Sequence, residues 1–467
     1  MKTKLMTQIE EKISKTKRIE VKDDITMDDI LEAIYTIFPN LTVISGSLYF
    51  WVETHYEKLE NVYQEQGFFI KRLLKKLLGK VYVKKSEVTA VYKELLNDYH
   101  VPTSLGKNIT SINVENGILV VDKENISLIK HDEKYGKRYV IPYPYNPAAT
   151  APMYMKFLKE VIEEDEAILV ILEYMGYILL NRSISFETAL IFWGEGRNGK
   201  SVLIKIISAF IGLVNTSNVE LQDLSNPNRV VMLDGKLLNV GSDSSDKNFD
   251  SSFFKKVISG EPVPARQLFK DTYDVTELPR FIFAMNNLPQ SKGDTSFGLI
   301  RRLLIVEFKQ IIKKENIDRD LYSKLETELA GILNLAIEGA QRLLSQGGFT
   351  QSKKITNSVK SYEDDINLVK RFIEDNSIVH DEESRMSNTQ LYTMFSVWAT
   401  EEGIRPPSKR YLIKKITSSG FTPYKNNSIR GFKISADEPI KVISDSTNLF
   451  DETPVKKEHQ FITDKKI

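Results

Sequence analysis

Residues Ala189 to Ile207 read ALIFWGEGRNGKSVLIKII, and this stretch constrains the chain more than any other. The apolar run Ala189–Trp193 predicts a buried strand, and Val202, Leu203, Ile206 and Ile207 then fall on one helical face. Between them, Gly194 to Ser201 fits G-x-x-x-x-G-K-[ST] in the setting that pattern requires, strand before and helix after. Glycines let the backbone wrap a phosphate chain and aim its N–H groups inward, and the opening of the helix adds partial positive charge. In such a loop Lys200 reaches the β- and γ-phosphates and Ser201 ligates Mg²⁺. Gly194, Glu195, Gly196, Arg197, Asn198, Gly199, Lys200, Ser201 and Val202 are therefore the candidate residues for holding ATP with Mg²⁺. A chance glycine turn at a strand–helix junction is the competing reading, and the matching flanks weigh against it.

A chain of 467 residues is too long for one core, so several domains are expected. It has no cysteine and five histidines, which removes disulfides and thiolate metal sites and argues against zinc. No apolar run reaches membrane-spanning length and no signal-peptide core opens the chain, so a cytoplasmic protein is expected. The formal net charge of +1 neither favours nor excludes nucleic acid, because a basic face can be balanced elsewhere.

Before the loop, the lysine-rich segment Lys2–Lys17 reads as a solvated helix or arm. Leu48–Val52 predicts a strand, Phe68–Leu78 an amphipathic helix ended by Gly79, and Ser86–Tyr99 another helix. Ile112–Val114 and Gly117–Val121 bracket a Glu115-Asn116 hairpin turn. Met153–Ile162 and Glu164–Leu180 read as helices, the second apolar on most faces and hence buried. After the loop helix, Leu237–Ser242, Arg280–Met285 and Leu303–Phe308 predict three further strands. The alternation with helical patterns gives an α/β fold, whose ligands gather at the carboxyl ends of the strands.

At those ends stand Asp243 and Asn286, candidates for orienting Mg²⁺ and sensing the γ-phosphate. Asp234 competes with Asp243, since it follows Val230–Leu233, although Asp234-Gly235-Lys236 also reads as a tight turn. Asn286 competes with a simple turn role. The second half of Phe253–Lys270 reads as a hairpin bearing Arg266, Phe269 and Lys270, which suits a single strand: charges meet phosphate and the ring meets a base. An ordinary exposed hairpin is the plainer reading.

The ordered series GEGRNGKS, KLLNVGSD, KKVISGEPVPARQLFKD, FIFAMNNLP and IRRLLIVEF resembles the superfamily 3 DNA helicases, of the phage and plasmid type often fused to a primase, with poxvirus relatives. Proteins of this type serve phages, plasmids and phage-related chromosomal islands. The resemblance spans about residues 105–440 and includes INVENGILVVD, YNPAATAPMYMKFLKEVI and ELAGILNLAIEGAQRLLSQGGF. It implies an AAA+-like P-loop ATPase core in which Lys200 and Ser201 bind phosphate and magnesium, Asp243 polarises the metal and Asn286 is the sensor. Arg266 and Lys270 would track single-stranded DNA, and Arg301 and Arg302 would reach a neighbouring subunit's ATP. Relatives usually carry Glu, often in an acidic pair, where this chain has Asp243 followed by Ser244; Asp246 is a helper candidate. The plainer reading of Arg301-Arg302 is a surface ion pair. Upstream, residues 1–110 offer only Asp23-Asp24 and Asp28-Asp29 as paired carboxylates, so no primase activity is expected.

Toward the carboxyl end, Val369–Phe372 and Thr389–Thr400 predict helices. Pro406-Pro407-Ser408 then caps a basic helix carrying Lys409, Arg410, Lys414 and Lys415. A hairpin with Lys425 to Arg430 at its tip completes a winged-helix pattern, in which the basic helix would enter a major groove. A packing role for that unit is the alternative. The expected organisation is an N-terminal α+β domain (1–104), a helical collar (105–185), the ATPase core (186–312), a helical segment (313–365), the winged helix (366–440) and a disordered tail (441–467). The expected activity is that of a homohexameric replicative DNA helicase or initiator of a mobile element. Its partners would be single- and double-stranded DNA including a replication origin, and a separate primase or host replication proteins, with no membrane. The alternative is an origin-binding AAA+ ATPase that assembles on or loads nucleic acid without processive unwinding.

Overall fold

Among the described residues, three apolar clusters organise the chain up to Ile366 and a fourth organises those beyond it. The computed structural model describes residues 4–17, 25–44, 47–58, 67–98, 110–180, 184–242, 249–266, 272–288, 297–310, 312, 315, 318–404, 406–426 and 429–436. The chain divides into two units, Met1–Ile366 and Asn367–Ile467.

The N-terminal segment, around its own apolar cluster, is α1 (Lys4–Lys15), α2 (Met27–Ile37), β1 (Leu41–Ile44), β2 (Ser47–Trp51), β3 (Tyr56–Lys58), α3 (Gly67–Leu78) and α4 (Lys85–Asp98). The strands form an antiparallel meander in chain order. Thr26 and Asp29 start α2 with a capping box. Phe38, Phe50 and Phe69 meet edge to face at 5.3–5.4 Å, tying the sheet to the end of α2 and to α3.

Next come β4 (Ser111–Val114), β5 (Gly117–Val121) and β6 (Ile126–Ile129), then α5 (Pro152–Val161) and α6 (Asp165–Leu179). The segment expected as a helical collar thus begins as a three-stranded sheet. Its third strand was not foreseen because Ile126, Ser127 and Leu128 are exposed on an edge and show no alternation. The two-residue Glu115-Asn116 turn forms as expected. Gly117 has φ +154°, and a Cβ there would lie 2.4 Å from the Ile129 carbonyl oxygen.

The α/β core holds β7 (Ala189–Trp193), α7 (Lys200–Ile211), β8 (Thr216–Ser217), α8 (Pro227–Val230), β9 (Leu238–Ser242) and α9 (Ser251–Ser259). It continues through β10 (Val263–Arg266), β11 (Thr272–Val275), β12 (Arg280–Met285), α10 (Phe297–Ile300) and β13 (Leu303–Glu307). Five strands make one parallel sheet in the order β13-β7-β12-β9-β8. Alternate residues of β7 serve opposite faces: Leu190 and Phe192 join one apolar cluster, Ala189 and Ile191 the other. Covering both faces is what a parallel sheet requires, and each large apolar side chain so buried contributes about 1.5–3 kcal/mol. Val230–Leu233 is not the strand that would make Asp234 a competitor for the metal. Asn226 caps a helical turn, Pro227 presets its first φ, and Val231–Leu233 continues as a 3₁₀ turn.

α11 (Leu321–Glu326), α12 (Leu329–Gln346) and α13 (Lys353–Ile366) follow. α12 lies against α6 with the two backbones touching: a Cβ on Gly176 would be 2.4 Å from the Ala336 carbonyl oxygen, and one on Gly339 would be 2.4 Å from that of Leu172. Beside the crossing, the fully buried Glu173 accepts hydrogen bonds from Arg342 Nε at 2.9 Å and from the Thr350 backbone N–H at 2.8 Å. Glu328 in turn accepts from the Met153 and Tyr154 N–H groups at the start of α5. One apolar cluster runs from Ile112 through the sheet to Ile355, so the segments before and after the core are a single packed layer with it.

The second unit contains α14 (Leu368–Asp375), β14 (Val379–His380), β15 (Met386–Ser387), α15 (Asn388–Glu401), α16 (Lys409–Ser418), β16 (Pro423–Asn426), β17 (Ile429–Phe432) and β18 (Ile434–Ser435). Phe372, Phe395 and Trp398 pack together at its centre, and β15-β17-β16 forms an antiparallel sheet. The strands run farther than expected. Lys425 and Arg430 are strand residues directly opposite each other rather than tip residues. Residues 441–467, expected as a tail, lie outside the described residues.

Candidate functional site

The loop after β7 emerges between the ends of two neighbouring strands. Phe308 N–H donates to the Trp193 carbonyl at 2.7 Å, Gly194 N–H to that of Met285 at 3.1 Å, and Trp193 Nε1 to that of Asn286 at 3.1 Å. This is the carboxyl edge of the parallel sheet, the side on which such sheets hold ligands.

The turn needs its glycines at two places. Gly194 has φ +148°, and a Cβ there would sit 2.4 Å from the Phe308 carbonyl oxygen. Gly199 has φ +88°, and its Cβ would fall 2.7 Å from Val161 Cγ1. Arg197 adopts φ +66° without being glycine. Asn198 is buried and staples the loop from inside: its Nδ2 donates to the Phe308 carbonyl at 3.1 Å and to that of Glu195. Glu195, Gly196 and Arg197 line the open side of the turn; Ser201 is exposed and Val202 half-buried. Gly199 occupies the N-cap of α7 with no side-chain cap, so the first-turn N–H groups face the loop's opening.

Lys200 is 7 % exposed. Its Nζ donates to the Gly194 carbonyl and, at 3.1 Å, to that of Glu195, and lies 3.5 Å from Asn286 Oδ1. Burial lowers its pKa from the ordinary lysine value. The structure therefore brings Lys200 and Asn286 together at the carboxyl ends of two strands that prove to be neighbours. Asp243, with Ser244 and Asp246, lies outside the described residues; Ser242, before it, ends β9 beside Ala284 of β12.

Asp234 has another role. Its carboxylate is buried, 3.6 Å from Arg138 Nη1 and 3.8 Å from Lys58 Nζ, and accepts from the Tyr273 hydroxyl at 3.4 Å. Arg138 also pairs with Glu277 and donates to the Tyr49 hydroxyl. This network joins β2, β3, the segment after β6, and β11. Spacing carried no sign of it, since its members are separated by long stretches of chain.

β10 and β11 form a hairpin whose second strand lies beyond Lys270, farther along the chain than expected, with exposed Arg266 opposite Thr272. Phe269 and Lys270 lie outside the described residues.

Arg301 and Arg302 stand at the start of β13, toward the amino edge of the sheet. Both pair with Glu187, which has φ +50°. Arg302 is buried and also donates to the Gly298 carbonyl and to Ser259 Oγ at 2.7 Å. The Arg301 side chain is 39 % exposed, with Glu187 as its ion-pair partner. The two are not equivalent, and Glu187, which sequence patterning did not single out, organises both.

In the second unit, Ser408 caps α16 as expected. Arg410 and Lys414 are exposed one turn apart, while Lys409, which donates to Thr389 Oγ1 at 2.8 Å, and Lys415 are half-buried. The basic face is thus narrower than the four residues suggested. Lys425 and Arg430 are exposed as a like-charged cross-strand pair, which repels until an anion joins it.

Among the described residues no group of acidic or histidine side chains could hold a metal by itself. No described helix is long and apolar enough to cross a membrane.

Residues 5–163 match a family model described as D5 N terminal like, and residues 192–302 match a family of unknown function, DUF5906. The second match covers the loop, Asn286 and both arginines. Among solved structures, the apo structure of the NrS-1 C terminal region (305–718) is 14 % identical, covering 89 % of this chain and 100 % of that one at a TM-score of 0.45. The A form apo structure of the same region is 15 % identical, covering 64 % and 80 % at 0.38.

Proposed function

We propose that the chain is an ATP-driven, homohexameric DNA helicase that starts or sustains replication of a mobile element. The observation that carries this reading is the loop at the sheet's carboxyl edge: an uncapped helix N-terminus, a buried Lys200, and Asn286 3.5 Å from its amine. The match to a D5 N-terminal-like model supports a replication setting.

The donor set fits a magnesium nucleotide. First-turn N–H groups of α7 and the Lys200 ammonium would bind the phosphates, and the exposed Ser201 hydroxyl with Asp243 would hold Mg²⁺. When bound, Mg²⁺ neutralises charge on the β- and γ-phosphate oxygens. Asn286 orients the terminal phosphate. Arg301, the exposed arginine, reaches the ATP of the next subunit in a ring, and Arg302 and Glu187 anchor it. Arg266 and Lys270 grip one strand, and Arg410, Lys414, Lys425 and Arg430 bind duplex at the origin.

Forked duplexes with 3′ or 5′ tails test the reading. Unwinding that needs ATP and is lost in Lys200→Ala is expected. ATP hydrolysis without unwinding would favour the origin-binding or loading ATPase instead. Absence of both would overturn the proposal.

A further inference from the structure

The N-terminal segment carries a charged face that the nucleotide site does not use. Residues 67–98 hold eight lysines and arginines against three acids, in a chain with a formal net charge of +1. Helical periodicity sorts them. In α3, Phe69, Ile70, Leu73, Leu74 and Leu77 are buried, while Lys71, Arg72, Lys75 and Lys76 are exposed. The helix contains no acid, so no neighbour one turn away neutralises that row. Arg72 pairs with Glu10, and Lys80 with Glu87, each at 2.8 Å. Lys71, Lys75, Lys76 and Lys85 have no ion-pair partner among the described residues.

The connector from α3 to α4 adds an independent observation. Val81 is 92 % exposed and Tyr82 69 %, although Val83 beside them is buried. Two large apolar side chains left in water within a lysine-rich turn mark a surface that meets something. The Tyr82 ring folds back toward α3, with Lys71 Nζ 5.8 Å from its centroid. Ammonium groups around an open aromatic face suit a single strand: the cations neutralise phosphates and displace counterions, and the ring stacks on an unpaired base. A duplex keeps its bases stacked on one another and leaves such a ring without a partner.

We propose that the α3 face and its connector, through Lys71, Lys75, Lys76, Tyr82 and Lys85, form a binding site for single-stranded nucleic acid, additional to β10–β11 and to the second unit. The site does not depend on nucleotide hydrolysis.

The test is binding of labelled oligothymidylate to the full chain across a salt series, in an Arg266→Ala background that lowers the hairpin's share. Reversing Lys71, Lys75 and Lys76 to Glu is expected to weaken binding at least about tenfold and to flatten the salt slope by about 0.7 for each phosphate no longer neutralised. Tyr82→Ala is expected to weaken it about tenfold with the slope kept, since stacking carries no counterion release. All four positions are exposed, so thermal melting should be unchanged. Photocrosslinking to iodouracil-bearing oligonucleotide should map to Tyr82. The idea is overturned if affinity and slope are unaltered, if loss is confined to a duplex of equal length, or if the same reversal at Lys123, Lys130 and Lys159 weakens binding equally.

Discussion

Lys200 carries its charge where burial disfavours it, and a phosphate is what would restore the balance. An incoming anion would raise its pKa back toward the ordinary value, so binding stabilises the ammonium that the loop strains. Lys200→Ala is therefore expected to lose ATP hydrolysis by at least about a hundredfold. Thermal melting should be nearly unchanged, because the substitution removes a desolvated charge; normal phosphate release would sink the assignment. The arginine pair divides differently. Arg302 holds Glu187, Ser259 and the Gly298 carbonyl from a buried position, so Arg302→Ala should cost about 1–3 kcal/mol of stability, read in denaturant melts. Arg301 is a half-exposed pair whose loss should cost less than about 1 kcal/mol. If Arg301 acts across a ring interface, Arg301→Ala keeps nucleotide binding and slows hydrolysis about a thousandfold. Mixing it with Lys200→Ala protein should then restore ATPase activity. No recovery in rings shown to be mixed would place Arg301 in its own subunit.

Among the elements, the crossing of α6 and α12 ties the segment before the core to the one after it. Gly176 and Gly339 let the two backbones touch, and Glu173 beside them joins Arg342 and Thr350. Glu173→Ala leaves Arg342 without its carboxylate and is expected to cost about 3 kcal/mol, seen as a lower denaturant midpoint. At the other end of this layer, Phe157 and Val161 of α5 lie under Gly199. α5 thus forms the floor of the loop at Gly199. Its place there was not legible in the chain order, because periodicity reports which face of a helix is buried and not what buries it.

At the scale of the whole molecule, the division after Ile366 separates two units, and the second has an apolar cluster of its own. Deleting the chain from Asn367 onward is expected to leave basal ATPase activity and to weaken duplex binding at least about tenfold. Loss of hydrolysis with duplex affinity intact would mean that the second unit supports the first rather than binding DNA. Within Met1–Ile366 the segments assigned as collar, core and helical segment share one apolar cluster. Truncations at 185 or 312 would cut through it.

Local patterning was enough to establish the α/β core and the ingredients of the loop. Ala189–Trp193 is apolar enough to be buried on both faces, and the Gly194 and Gly199 conformations are ones that only glycine adopts without strain. The two-residue turn before Gly117 and the cap at Ser408 were legible for the same reason, because they are local hydrogen-bonding choices. Other features were settled by packing alone. Asp234 and Asp243 both follow apolar runs, but Asn226 and Pro227 wind the first run into a helical turn, and Arg138 and Lys58, far away in the chain, claim Asp234. Arg301 and Arg302 are adjacent and chemically equal until packing buries one against Ser259 and Glu187 and leaves the other half-exposed on the same Glu187. Spacing along the chain carries the first kind of information. The second depends on which distant side chain supplies the compensating charge, and that exists only once the chain has packed.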